Sequence, residues 1–370
     1  MRAPVCAIVA AIGLAAQPAF AQADRPPASP AAFWKTVQAT CDATAAKPPS
    51  ELGKRIAQIA LDEFNRFGGH QVDSNGRLFR FGLTEAEHKE DDGGDPRASL
   101  GHLGWWQVMK YWRSLFGDNS TTDKLEVVGY RDASTSMDQE KVAEVLRTDA
   151  ASLLRAADSA SDPTVREALR EAAIRAAVID TPWSAAFISY VVKQAGAPAN
   201  AFKFSNAHRT YIYDAFAASA AEPTNTAGDR LYRACPVFTT KPRVGDLLCF
   251  QREPSLADVS DEVVRERMRA ELASGGPIRS VRRTHCEVVA SIDAGASKMY
   301  VIGGNVHQGI TAKRLNLQRD LKLSTTQTGN CGGAAYWTMP TTSGGGGSAA
   351  APPKKCSLND KKWFVLMQLR

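Results

Sequence analysis

The chain has 370 residues, 44% of them hydrophobic, and 45 Lys and Arg stand against 39 Asp and Glu. The apolar share is enough for an ordinary core in one sizeable domain. The charge of +6 is mixed and unclustered, which excludes the electrostatic signature of a nucleic-acid binder, and no segment has the uninterrupted apolar run of about 18 residues that a membrane-spanning helix needs.

The opening residues point to export. Arg2 gives a positive start, residues 4–16 are a short alanine-rich apolar run, and Ala19-Phe20-Ala21 reads as a small-x-small cleavage site. Residues 1–21 are therefore expected to be a signal peptide, with an uncleaved N-terminal anchor as the alternative. Removing Arg2 with the leader leaves 44 basic and 39 acidic residues, a charge of +5. The mature chain is expected in the periplasm or outside the cell, with no membrane span. Its mild positive charge suits an anionic envelope polymer.

Cys6 leaves with the leader, and Cys41, Cys235, Cys249, Cys286, Cys331 and Cys356 remain. An even cysteine count in an exported chain points to disulfides. Cys249 and Cys286 lie in two strand-like runs and are candidates for a cross-strand pair. Cys331 and Cys356 flank a Gly/Ala/Pro-rich loop and are candidates to staple it. There is no C-x-x-C pair and no metal-ligand spacing, so neither metal nor cofactor is expected.

Residues 22–50 are rich in Ala and Pro and read as a flexible lead-in. In 51–66, Ile56, Ile59, Ala60 and Phe64 recur at helical spacing. Residues 68–97 carry Gly-Gly, Asn-Gly and Asp-Asp-Gly-Gly punctuation and read as loop with one short strand. Residues 102–116 gather Trp105, Trp106, Tyr111, Trp112 and Phe116 in one helix-length window, as core rather than ligand platform. Helical runs follow at 138–158, 163–179 and 182–195, the last stopped by Gly196.

From about 244 the period changes to that of strands, at 244–250, 285–292, 298–304, 334–339 and 363–369. A charged, helix-like insertion at 255–280 separates the first two, and 341–356 is a low-complexity surface loop. Helices followed by an antiparallel sheet predict an α+β fold, with 51–370 as one domain.

The residue to explain is Ser184. Thr181 is placed to cap the helix at 182–195, and Pro182 suits a first helical position. Ser184 then falls in the first turn, where free N–H groups and the positive helix end stabilise an anion. A serine there is also simply a good partner for an orphan N–H.

Four blocks in order change that balance: PWSAAFISYVVKQAG (182–196), VGDLLCF (244–250), THCEVVASID (284–293) and VIGGNVHQGI (301–310). They resemble papain-like cell-wall hydrolases of the CHAP/NlpC type, which carry Trp-Cys-Ala-Ala-Phe-Val, Gly-Asp, a strand-opening His and Gly-Gly-Asn. The chain is more closely similar to a secreted bacterial branch known only as a domain of unknown function, in which serine replaces the cysteine.

The resemblance implies a papain-like fold and a Ser184 nucleophile, with His285 as general base and Asn305 orienting it. Asp246, in the Gly-Asp turn, looks architectural. Trp183 and His208 are expected to line the substrate cleft. Glu287 shares His285's side of the strand and is a fallback third member. His307 is a second candidate base. The run 279–283 (RSVRR) attracts a carboxylated substrate or is a solvated charge run.

A serine hydroxyl holds its proton far more tightly than a thiol, so it attacks only if a base removes that proton as the bond forms. The expected activity is amide hydrolysis in peptidoglycan peptides. The alternatives are a catalytically silent domain that binds a wall peptide or protein partner, and a serine esterase or acyltransferase. No G-x-S-x-G elbow is present, which argues against an α/β-hydrolase.

Overall fold

The computed structural model describes residues 29–86, 104–131, 144–275, 279, 281–327 and 357–370. The expected signal peptide, the strand-like run 334–339, the loop 341–356 and the Cys331–Cys356 staple lie outside the described residues.

The fold is α+β. Its helices are α1 (Pro30–Ala45), α2 (Glu51–Arg66), α3 (Gly104–Phe116), α4 (Ala150–Asp158), α5 (Pro163–Asp180), α6 (Ser184–Gln194), α7 (His208–Ala221) and α8 (Asp261–Ala273). Its strands are β1 (His70–Val72), β2 (Leu78–Arg80), β3 (Glu126–Arg131), β4 (Glu144–Asp149), β5 (Tyr232–Cys235), β6 (Leu247–Gln251), β7 (Thr284–Asp293), β8 (Lys298–Val306), β9 (Gly309–Asn316) and β10 (Lys362–Leu369).

Eight strands form one sheet in the order β2-β1-β9-β8-β7-β6-β10-β5, antiparallel throughout except for the parallel β1–β9 pair. Strands β3 and β4 form a separate antiparallel pair.

Local chemistry accounts for the elements that matter most. Ser50 caps α2 by accepting the Gly53 N–H at 3.1 Å, and Ile56, Ala60 and Phe64 turn one face to the core. The two sides of the sheet bury different sets of residues. Leu247, Cys249, Cys286 and Val288 join the larger core under the helices. Leu248, Phe250, Val289 and Val301 join a second cluster. This is the period-2 alternation of a sheet buried on both faces.

Three expectations change. Residues 30–45 of the lead-in are helix α1, with Ser29 as cap, Val37 and Cys41 buried, and Cys41 bonded to Cys235 of β5. The alanines that read as linker are good helix formers, and the disulfide holds the helix on the sheet. In the run 138–158, residues 144–149 pair along β3 as a strand and helix begins at 150, while 138–143 lie outside the described residues. Asp149 marks the handover: its carboxylate accepts the Ser152 N–H at 2.7 Å and caps α4. The described part of the loop at 68–97, residues 68–86, contains two short strands, β1 and β2, rather than the one expected.

The insertion is integral. Helix α8 packs on α7 and β10, and Arg265 donates to the Phe364 carbonyl at 3.0 Å. The Cys249–Cys286 disulfide joins directly paired residues of β6 and β7.

Candidate active site

Ser184 is the first residue of α6. The expected cap is displaced: α5 continues to Asp180, and Thr181 instead accepts the Glu126 N–H at 2.8 Å. Trp183 precedes the helix and supplies no side-chain cap. The first helical hydrogen bond is Phe187 N–H to Trp183 O, at 2.9 Å. The N–H groups of residues 184–186 thus come before the helical ladder begins.

A serine clasp sets what faces Ser184. Ser189, buried in α6, donates to the Ser205 carbonyl at 2.8 Å and accepts the Ser205 N–H at 2.9 Å. The Ser205 hydroxyl then accepts the Ala207 N–H at 3.1 Å, just ahead of α7. This ties the start of α7 to α6, and the first residue of α7 is His208. Its Nε2 lies 2.7 Å from Ser184 Oγ, and its Nδ1 is hydrogen-bonded to the Tyr211 hydroxyl. Residues i and i+3 share a helix face, so His208 and Tyr211 meet within α7.

Residues 100–369 match a family described as an uncharacterized protein conserved in bacteria, DUF2272. The chain belongs to this family. No curated protein and no solved structure matches it.

In this DUF2272 chain, Ser184 meets His208 and not the expected His285. The reason is strand alternation. Helix α6 lies over the side of the sheet that carries Cys286, Val288 and Gly304. His285 projects from the other side, with its ring 5.1 Å from that of its cross-strand partner Phe250. It still approaches the serine pair, because its ring stands 4.9 Å from that of His208.

Asn305 sits at a bulge between β8 and β9 with φ of +52°, and no described hydrogen bond joins it to His285. The Gly-Gly before it does steric work. A Cβ on Gly304 would come within 2.6 Å of the Phe187 ring, and one on Gly303 within 3.0 Å of His285 Nε2. Side chains at either position would push α6 off the sheet or displace the histidine.

His307 is exposed in the β8–β9 turn, with its ring 6.5 Å from that of His70. Trp183, expected to wall the cleft, is fully buried: it stacks on Phe67 at 6.0 Å and donates its indole N–H to Glu85. Glu287 does share a side with His285, its Oε1 lying 3.7 Å from Nε2, but it is ion-paired to buried Lys313. Asp246 is architectural as expected: its carboxylate accepts the N–H groups of Arg243 at 2.7 Å and Leu369 at 2.8 Å.

The electrostatics keep both histidines neutral. Burial, with Arg252 nearby, takes His208 down to about 3. Burial and His208 itself hold His285 well below the ordinary histidine range. Burial likewise pushes the Tyr211 phenol far above its usual value, so it stays protonated. Burial also raises the Glu85 carboxyl to about 7, even with the Trp183 hydrogen bond opposing it. Among the described residues no group of His, Cys, Asp and Glu is arranged to hold a metal ion.

Tyr211, Lys313 and Glu85 were not candidates on sequence grounds. Tyr211 alone left a trace, the His-x-x-Tyr spacing at the head of a helix. Lys313 and Glu85 carry no local pattern; their roles arise from long-range pairing.

Proposed function

We propose that this protein is an exported hydrolase that cleaves amide bonds in peptidoglycan peptides, with Ser184 as nucleophile and His208 as general base. The observation that carries the reading is the 2.7 Å contact between Ser184 Oγ and His208 Nε2 at the head of α6.

The chemistry follows from that contact. With Nδ1–H donating to the Tyr211 oxygen, Nε2 is free to accept the serine proton as Oγ attacks the substrate carbonyl. The negative charge that develops on the carbonyl oxygen is drawn to the unladdered N–H groups of the first turn of α6. Collapse breaks the C–N bond, and His208 returns the proton to the leaving amine. Water, deprotonated by the same nitrogen, then releases the acyl group from Ser184.

The orienting residue in this scheme is a tyrosine, not a carboxylate, so the imidazolium formed during attack lacks a counter-charge. Slow turnover follows. Two disulfides fit an exported chain, and no helix among the described residues is long and apolar enough to cross a membrane. The peptide assignment rests on the resemblance of the blocks around 182–196, 244–250, 284–293 and 301–310 to CHAP/NlpC-type enzymes.

A second reading, a silent domain that binds a wall peptide, is favoured by burial. Ser184 is 7% exposed and His208 5%. A fluorophosphonate probe separates the two. Labelling of the native protein, absent in Ser184→Ala and in His208→Gln, supports the hydrolase; no labelling above that of Ser184→Ala overturns it. Mass spectrometry of digested muropeptides then distinguishes amide from ester cleavage.

A further inference from the structure

The β6–β7 end of the sheet carries an arrangement that its own neighbours do not explain. The ladder pairs Phe250 with His285 and Gln251 with Thr284. It continues one step further, with Arg252 N–H donating to the Arg283 carbonyl at 2.7 Å. Directly opposed residues project to the same side of a ladder, as do residues two apart on one strand. Arg252 and Arg283 therefore stand on the side of the sheet that holds Phe250 and His285. The Arg252 guanidinium also donates to the Thr284 carbonyl at 3.2 Å.

Like charges opposed across a ladder are destabilising. Both side chains are exposed, and neither is ion-paired among the described residues. The nearest suitable carboxylate, Glu253, spends one oxygen on the backbone N–H groups of Arg282 at 2.8 Å and Arg283 at 2.6 Å. Further cations lie behind the pair: Lys313 and Lys361 hold their Nζ atoms 5.5 Å and 5.7 Å from the centre of the Phe250 ring. Lys313 is ion-paired with Glu287, and Lys361 has Asp360 beside it in the chain. Arg252, Arg282 and Arg283 therefore outnumber the one carboxylate among them, Glu253.

On the same side of the sheet, His285 Nε2 has no hydrogen-bond partner among the described residues, and its side chain is more than nine-tenths buried. The charges also sense one another: although Arg252 reaches solvent, partial burial of its guanidinium, and then Arg283, lower its proton affinity.

We propose that Arg252 and Arg283 form a carboxylate-binding subsite beside the Ser184–His208 pair, one that takes an acidic group of the peptide substrate. A guanidinium fork matches the two oxygens of a carboxylate. A carboxylate bridging the two forks removes their repulsion, and it would lie two residues along the strand from His285, whose ring stands 4.9 Å from that of His208. The substrate assignment rests on the hydrolase reading; the anion site itself does not.

The test measures binding, so it does not depend on turnover. The ring resonances of His208 and His285 are followed by NMR during titration with N-acetylglycine, N-acetylglycinamide and inorganic phosphate, in native protein, Ser184→Ala and Arg252→Gln/Arg283→Gln. The expected result is saturable binding of the acid, at least tenfold tighter than the amide. It is retained in Ser184→Ala and weakened at least tenfold in the double variant, whose thermal melt confirms that it folds. Equal binding of acid and amide, or unchanged affinity in the double variant, overturns the proposal. Phosphate binding tenfold tighter than the acid overturns the choice of carboxylate. Loss of probe labelling at Ser184 with acid binding intact counts against the hydrolase alone.

Discussion

Acidification should destabilise the protein through His208, by an amount that can be worked out in advance. The buried ring is held neutral down to about 3 in the folded chain, whereas a histidine in the unfolded chain takes up its proton near pH 6.5. A lowered folded value means that the unfolded state binds more protons between these limits. The stability this histidine confers is therefore complete above pH 6.5 and is lost as pH falls toward 3. From these two values the loss is about 2 kcal/mol at pH 5 and about 3 kcal/mol at pH 4. Urea denaturation of native protein and His208→Gln at pH 7.5 and pH 5 reads the effect, provided that the m-values agree. The stability difference between the two proteins should shift by about 2 kcal/mol against the native form at pH 5. Parallel pH dependence would show that His208 is not held neutral by burial, and the account of it as a poised base would fall with it.

Lys313→Met leaves Glu287 buried without its cation, and should cost about 3–5 kcal/mol in the same denaturation assay. Adding Glu287→Gln should recover most of that loss, and an additive pair of costs would refute the coupling. Replacing Cys249 and Cys286 by alanine opens a loop of 37 residues and should cost roughly 4 kcal/mol. Replacing Cys41 and Cys235, 194 residues apart, should cost roughly 5 kcal/mol on the same chain-entropy argument, read by calorimetry under non-reducing conditions. Gly303→Ala sets a methyl 2.9 Å from Glu287 Cγ and 3.0 Å from His285 Nε2. It should lower stability by about 1–3 kcal/mol and move the His285 ring resonances, while Ser184 labelling, which runs through His208, persists.

Much of this architecture is legible in the chain because its signals are local. The amphipathic spacing of 51–66 predicts α2 to the residue. The strands expected at 285–292, 298–304 and 363–369, as β-branched and apolar runs bounded by turns, are found at 284–293, 298–306 and 362–369. Ser184 stands out because a helix head has a distinctive chemistry. Strand placement of Cys249 and Cys286 makes them candidates for the disulfide that they form.

What stays hidden is what depends on distant pairing. The strand at 144–149 needs its partner at 126–131 to exist, and α1 needs Cys235 to be held in place. The choice of histidine is the most instructive case. His285 opens a strand, as a papain-like base does, but a strand residue has two faces and sequence periodicity alone does not say which one a remote helix will cover. The Ser189–Ser205 clasp, sixteen residues apart in sequence, brings His208 to the serine instead.

Strand β10 lies in the interior of the sheet, between β6 and β5, although it follows every other described strand in sequence. Until residues 362–369 arrive, β6 presents an open row of donors and acceptors and β5 has no neighbour to hold it. Completion of the sheet therefore waits on residues 362–369, which pair with both β6 and β5. A cut just before residue 362 is then a lesion to the whole molecule rather than a trimmed tail.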